Sequence, residues 1–76
     1  MTIRVRVFAR YRGLLNFEVL ELPLPTPPCL AKLLEDPRLA ALPEDALLAV
    51  NQAFASREAT LSEGDEVALM PPVSGG

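Results

Sequence analysis

The sequence predicts an α+β domain: a mixed β-sheet with one main helix packed on one face and a flexible carboxyl-terminal tail. Three observations carry this prediction. The run TIRVRVFA (Thr2 to Ala9) sets Ile3, Val5 and Val7 against Arg4, Arg6 and Phe8, the period of a half-buried strand. Leu30, Leu33 and Leu34 form one apolar stripe at helical spacing. Glu66 to Met70 reads as a last strand, entered through a turn signal at Glu63-Gly64-Asp65 and ended by Pro71 and Pro72.

The elements follow in chain order. Arg10 to Asn16, with Gly13 inside it, is expected to link the first strand to a second, FEVLELP, as a hairpin. Thr26 is expected to cap a helix whose first positions are Pro27 and Pro28, with Pro37 stopping it. PRLAALPED reads as a helical turn or loop between Pro37 and Pro43. ALLAVN, almost continuously apolar, suits a strand inside the sheet. QAFAS reads as a short return strand. A hairpin, a helix and further strands in so short a chain give the β-grasp arrangement of ubiquitin-like folds, with a right-handed helical crossover. Residues 1–70 form that domain, and residues 71–76 an extended tail.

Composition bounds the chemistry. Seventy-six residues, half of them hydrophobic, make one domain with a real core. A chain this short buries only roughly 60–65% of its unfolded surface, so its stability margin is thin. No apolar run is long enough for a bilayer and no secretory signal pattern opens the chain, so a cytoplasmic protein with no membrane partner is expected. The net charge of −3 argues against a nucleic-acid partner. Arg4 and Arg6, and likewise Arg10 and Arg12, stand two apart, with the two pairs four positions from each other. One reading is a solvated face; the other is docking to an acidic partner surface.

The chain has one cysteine, Cys29, and no histidine. Ser-His and Cys-His nucleophile pairs are therefore excluded, and a zinc site would need carboxylates alone. No metal and no bound cofactor are expected, and the chain on its own is not expected to be an enzyme. Cys29 reads as a small buried thiol, with a redox role as the alternative.

That leaves PPVSGG, Pro71 to Gly76. Two readings compete: an ordinary frayed end, or a Gly76 carboxylate that is itself the working group. AVNQ (Ala49 to Gln52), LSEGDEVA (Leu61 to Ala68) and PPVSGG, together with the opening VFA (Val7 to Ala9), resemble the MoaD family of small sulfur-carrier subunits. The chain departs from the family pattern in a shortened Arg10–Asn16 segment and a Pro-rich helix region.

The resemblance implies a carrier of sulfur for molybdenum-cofactor synthesis. A MoeB-type activating enzyme uses ATP to adenylate Gly76, and a sulfur donor enzyme converts it to a thiocarboxylate. A MoaE-type large subunit then supplies the active site in which sulfur passes to a pterin precursor. Such a sulfur is an anionic nucleophile at neutral pH and needs no base from the carrier. Gly75 and Gly76 keep the tip slim enough for enzyme pockets, and Val73 and Ser74 extend its reach. Two other uses of the same tail stay open: a carrier for thiamin or tRNA thiolation, and a ubiquitin-like protein modifier.

A carrier must dock. If Ile3, Val5 and Val7 face the helix, Phe8 points to the opposite side of the sheet. Met70 and Phe54 share that outward face, with Gln52 beside Phe54. Phe8, Phe54 and Met70, with Pro71, Pro72, Val73 and Ser74 of the tail, are thus the candidate partner-binding residues. The alternative places Phe8 or Phe54 in the core.

Overall fold

The computed structural model describes residues 1–72, and in it the alternation of the first strand becomes an alternation of burial. In β1 (Thr2–Val7) Ile3, Val5 and Val7 are buried while Thr2, Arg4 and Arg6 are exposed. There follow α1 (Tyr11–Leu15), β2 (Val19–Pro23), α2 (Leu30–Leu33) and a 3-10 turn (Pro37–Leu39). The chain then forms β3 (Leu47–Val50), β4 (Ala53–Phe54) and β5 (Glu66–Met70). The sheet order is β2-β1-β5-β3-β4. Only β1 and β5 run parallel; every other neighbouring pair is antiparallel. This is the ubiquitin-like β-grasp arrangement, with the strand latest in the described chain at the centre of the sheet.

One face of the sheet carries the core. Ile3, Val5 and Val7 of β1, Leu22 of β2, Leu48 of β3 and Val67 and Leu69 of β5 pack against Tyr11, Leu15, Leu30, Leu33, Leu39 and Leu61. Among the described residues no polar or charged residue other than Tyr11 is buried in it. The Tyr11 hydroxyl is buried without a hydrogen-bond partner among the described residues.

Two elements differ from the sequence prediction. Arg10 to Asn16 is not a plain connection: Tyr11 to Leu15 form α1, burying Tyr11 and Leu15 one helical turn apart. Ala9 (φ 55°) turns the chain into it, and Asn16 (φ 66°) closes it by donating its N–H to the Arg12 carbonyl.

Nor does Thr26 cap a helix beginning at Pro27. The helix starts at Leu30 after an extended Cys29, with no side-chain cap. The first-turn amides are satisfied from across the fold instead. Leu30 N–H donates to the Ala59 carbonyl at 2.9 Å and Ala31 N–H to the Arg57 carbonyl at 2.8 Å. A hydroxyl cap is unnecessary where a loop supplies the acceptors.

The predicted turn after Pro37 is present. Asp36 caps it, its carboxylate accepting from the Arg38 backbone N–H at 2.8 Å and from Nε and Nη2 of the guanidinium at 3.1 Å each. The guanidinium hydrogen bonds hold the Asp36 carboxyl below the ordinary aspartate range, with the backbone bond adding to them. Cys29, expected to be buried, is only half-buried and bridges to Thr60. Among the described residues, no helix is long and apolar enough to cross a membrane.

Candidate functional site

Strand pairing brings the outward positions together. On the face opposite the core, Arg6 pairs with Ala68, Ala68 with Ala49, and Ala49 with Phe54. Met70 lies opposite Leu47 one step further along. Phe8 continues β1 past its last ladder residue, donating its N–H to the Leu69 carbonyl at 3.0 Å. The small side chains of Ala49 and Ala68 leave a hollow between the larger ones. The result is a depression of about 260 Å³ walled by Phe8, Phe54 and Met70, with Arg6, Glu66 and Gln52 at its edge.

Of the three apolar residues read from the sequence, Phe54 is 76% exposed and Phe8 39%. Neither lies in the core cluster. Met70 faces outward, but it is half-buried rather than exposed. Pro71 and Pro72 follow it and are half-buried as well. Val73, Ser74, Gly75 and Gly76, the expected reach and reacting tip, lie outside the described residues. The depression is the joint product of β1, β3, β4 and β5, and Met70, the last residue of β5, stands in its wall.

Its electrostatics are balanced. Arg6 stands 3.6 Å from the Glu66 carboxylate, and its guanidinium lies 5.7 Å from the centroid of the Phe8 ring. The cation thus braces Phe8 while its charge is met by Glu66. Ala49 and Ala68 were not singled out from the sequence. Their signal was available: both alternate outward in strands whose other residues are large.

A second feature ties the recognisable motifs together. Asn51 (φ 50°) and Gln52 (φ 72°) form the two-residue turn of the β3–β4 hairpin, with the sign pattern of a type I′ turn. The Asn51 amide Nδ2 donates to Asp65 Oδ1 at 2.9 Å, and its Oδ1 accepts from the Glu66 N–H at 2.9 Å. Asp65 Oδ2 accepts from the Ser62 N–H at 2.8 Å. Gly64 (φ 84°) supplies the left-handed step before it. AVNQ and GDEVA are therefore two halves of one clasp that holds the hairpin carrying Phe54 against the start of β5.

Elsewhere, a groove of about 310 Å³ runs between the exit of β2 and α2, lined by Leu24, Thr26, Lys32 and Asp36 among others. Lys32 meets Glu35 at 3.1 Å beside it. Leu33, a core residue, also lines it, so it lies on the helix side and away from the outer face. Among the described residues no three His, Cys, Asp or Glu side chains gather as metal ligands.

Comparison with known proteins finds similar sequences and similar folds. The family model described as "ThiS family" matches residues 5–76. The chain is 39% identical over 80 residues to the molybdopterin synthase sulfur carrier subunit of Escherichia coli, covering 97% of this chain and 99% of that one. Among solved structures, it is similar to a putative molybdopterin converting factor subunit 1 from Pyrococcus furiosus. The TM-score there is 0.84 at 29% identity, over 96% of this chain and 99% of that one. It is also similar to a chain in the complex of subunits 1 and 2 of the molybdopterin-converting factor from Helicobacter pylori. That match has a TM-score of 0.69 at 25% identity and covers both chains fully.

Proposed function

This chain belongs to the ThiS family, and from that premise we propose that it is the sulfur-carrying small subunit of a molybdopterin synthase. The observation that carries the reading is the end-to-end match to the Escherichia coli sulfur carrier subunit, which leaves almost none of either chain unaccounted for. The Helicobacter pylori complex supports a large subunit as partner.

In this reading Gly76 is the reacting residue. Its carboxylate oxygen attacks the α-phosphorus of ATP on a MoeB-type activating enzyme, and pyrophosphate leaves. Sulfide-level sulfur, supplied as HS⁻ by the donor enzyme, then attacks the acyl carbon; AMP leaves with the bridging oxygen and the S–H proton goes to solvent. The terminal group is now a thiocarboxylate, which the large subunit accepts beside its pterin substrate. The carrier itself supplies no acid or base. It supplies a domain that docks through the outer face and a slim terminal segment leading away from Met70.

The apolar depression fits this division of labour. A surface used in turn by several enzymes must release each of them, and a small apolar patch on a stable sheet gives moderate, reversible affinity. The experiment is direct. With ATP, the activating enzyme and a sulfur donor, the chain should gain the mass of one oxygen-to-sulfur replacement, localised to Gly76. Pyrophosphate exchange that persists after removal of Gly75 and Gly76 would overturn the assignment of the reacting group.

A further inference from the structure

The four amino-terminal arginines are not equivalent. Arg4 meets Glu21 at 3.7 Å, Arg6 meets Glu66 at 3.6 Å and Arg12 meets Glu18 at 3.3 Å. The remaining cations are also occupied. Lys32 and Arg38 each hold a carboxylate at 3.1 Å, and Arg57 donates to the Glu44 carbonyl at 3.2 Å. Arg10 alone has no oxygen acceptor among the described residues. Its guanidinium instead lies over the ring of Tyr11, 5.5 Å from the centroid. Tyr11 is 1% exposed, so the platform beneath the cation is fixed in the core while Arg10 itself faces solvent.

Its position matters as much as its freedom. Arg10 follows Phe8 by two residues, across the turn made by Ala9. The Phe8 N–H is bonded to the Leu69 carbonyl, so this turn stands at the end of the sheet where β5 passes into Met70 and Pro71. A cation with no oxygen acceptor among the described residues, preoriented on Tyr11, thus stands two residues beyond Phe8, which lines the apolar depression, on a chain whose net charge is −3.

We propose that Arg10 selects the partner: it pairs with a carboxylate that the partner protein presents beside the apolar side chains filling the Phe8–Phe54–Met70 depression. The inference rests on the docking role given to that face above. Stacking on an aromatic ring spares a guanidinium much of its ordering cost and leaves its planar edge for a bidentate carboxylate. A phosphate is the poorer match. Phosphate sites converge several backbone N–H groups on the anion, whereas the amides of Tyr11 and Arg12 are already given to the carbonyls of Phe8 and Ala9.

The test is a binding titration of the full chain against the large subunit of molybdopterin synthase from the same organism, at low and high salt. Arg10→Gln should weaken binding about tenfold at low salt and flatten the salt dependence, whereas Arg38→Gln should stay within about twofold of wild type. Both remove one positive charge, but Arg38 lies on the helix side. Arg10→Lys keeps the charge without the planar edge, so it should recover the salt dependence and only part of the affinity. Melting curves establish that each variant is folded. Arg10→Gln binding as tightly as wild type at both salts overturns the proposal and leaves the docking role standing. A wild-type chain that does not bind the large subunit at all overturns both.

Discussion

Asn51 and Asp65, fourteen positions apart, share a side-chain hydrogen bond of 2.9 Å that joins the β3–β4 turn to the entry of β5. The same Asn51 side chain accepts from the Glu66 N–H, and its backbone N–H donates to the Glu66 carbonyl at 2.7 Å. One residue therefore does three things: it adopts a left-handed turn conformation, anchors a loop and sets where the hairpin sits on the sheet.

Stability should separate these parts. Asn51→Ala loses both side-chain bonds and places a Cβ-bearing, non-Asn residue at φ 50°. It is expected to lower unfolding free energy by about 2–3 kcal/mol, and Asn51→Gly, which relieves the backbone, by about 1–1.5 kcal/mol. Urea denaturation measures both. If Gly is the worse substitution, the backbone argument is wrong.

The two faces of β5 and its neighbours should respond in opposite ways. Phe54→Asp places a charge on a largely exposed outer position, so the domain should stay folded while partner binding weakens by about 2 kcal/mol or more. Val67→Asp buries a carboxylate at a position with no exposure and should unfold a chain of small stability margin. Circular dichroism and a binding titration read the two outcomes. Loss of fold in Phe54→Asp would mean that the outer face is structural.

At the tip, length and bulk should matter separately from sequence. Appending one Ala after Gly76 moves the carboxylate by up to roughly 3.5 Å. Misplacement by about 1 Å can cost on the order of a hundredfold in rate, so sulfur loading should be lost. Gly76→Ala should fail through its methyl group alone, and Ser74→Ala should load normally. Intact mass before and after the reaction scores all three, with mass before it checking that the added Ala has not been trimmed away.

Acid should weaken the 3-10 turn in a defined window. Asp36 has its carboxyl held below the ordinary value by Arg38, so its ionised form is favoured in the folded chain. The stabilisation is present in full above the unfolded-chain value of about 3.9 and is lost as pH falls through the lower folded value. The stability difference between wild type and Asp36→Asn should accordingly be constant at neutral pH and shrink from about pH 4 downward. Urea midpoints across pH 2–7 follow it. A difference that grows on acidification would contradict the hydrogen-bonding assignment.

Much of this architecture is legible in the sequence where periodicity runs long enough. β1 alternates over six residues and β5 over five, and both faces came out as read. α1 was missed because a five-residue helix containing Gly13 shows only one apolar repeat, Tyr11 to Leu15. The start of α2 was misplaced because its amides are satisfied by the loop at Arg57 and Ala59, a tertiary contact that local capping rules do not see. In the site, the outward faces of Phe8 and Phe54 follow from alternation. The hollow between them depends on Ala49 and Ala68 meeting across strands, and the clasp on a pairing between distant segments. Arg10 could not be told from its three neighbours, since which arginine finds a glutamate is decided by strand pairing for Arg4 and Arg6 and by the fold of the α1–β2 connection for Arg12.

β5 is hydrogen-bonded on both sides, parallel to β1 and antiparallel to β3, and without it the sheet would fall into two separate hairpins. A partner that grips the residues beyond Met70 and draws on them therefore pulls along the axis of the central strand. The force meets its ladder bonds in shear, all resisting together, rather than peeling an edge strand open one bond at a time. The segment that follows Met70 is thus attached to the central strand, whose ladder bonds on both sides would have to give together before the domain behind it unravels.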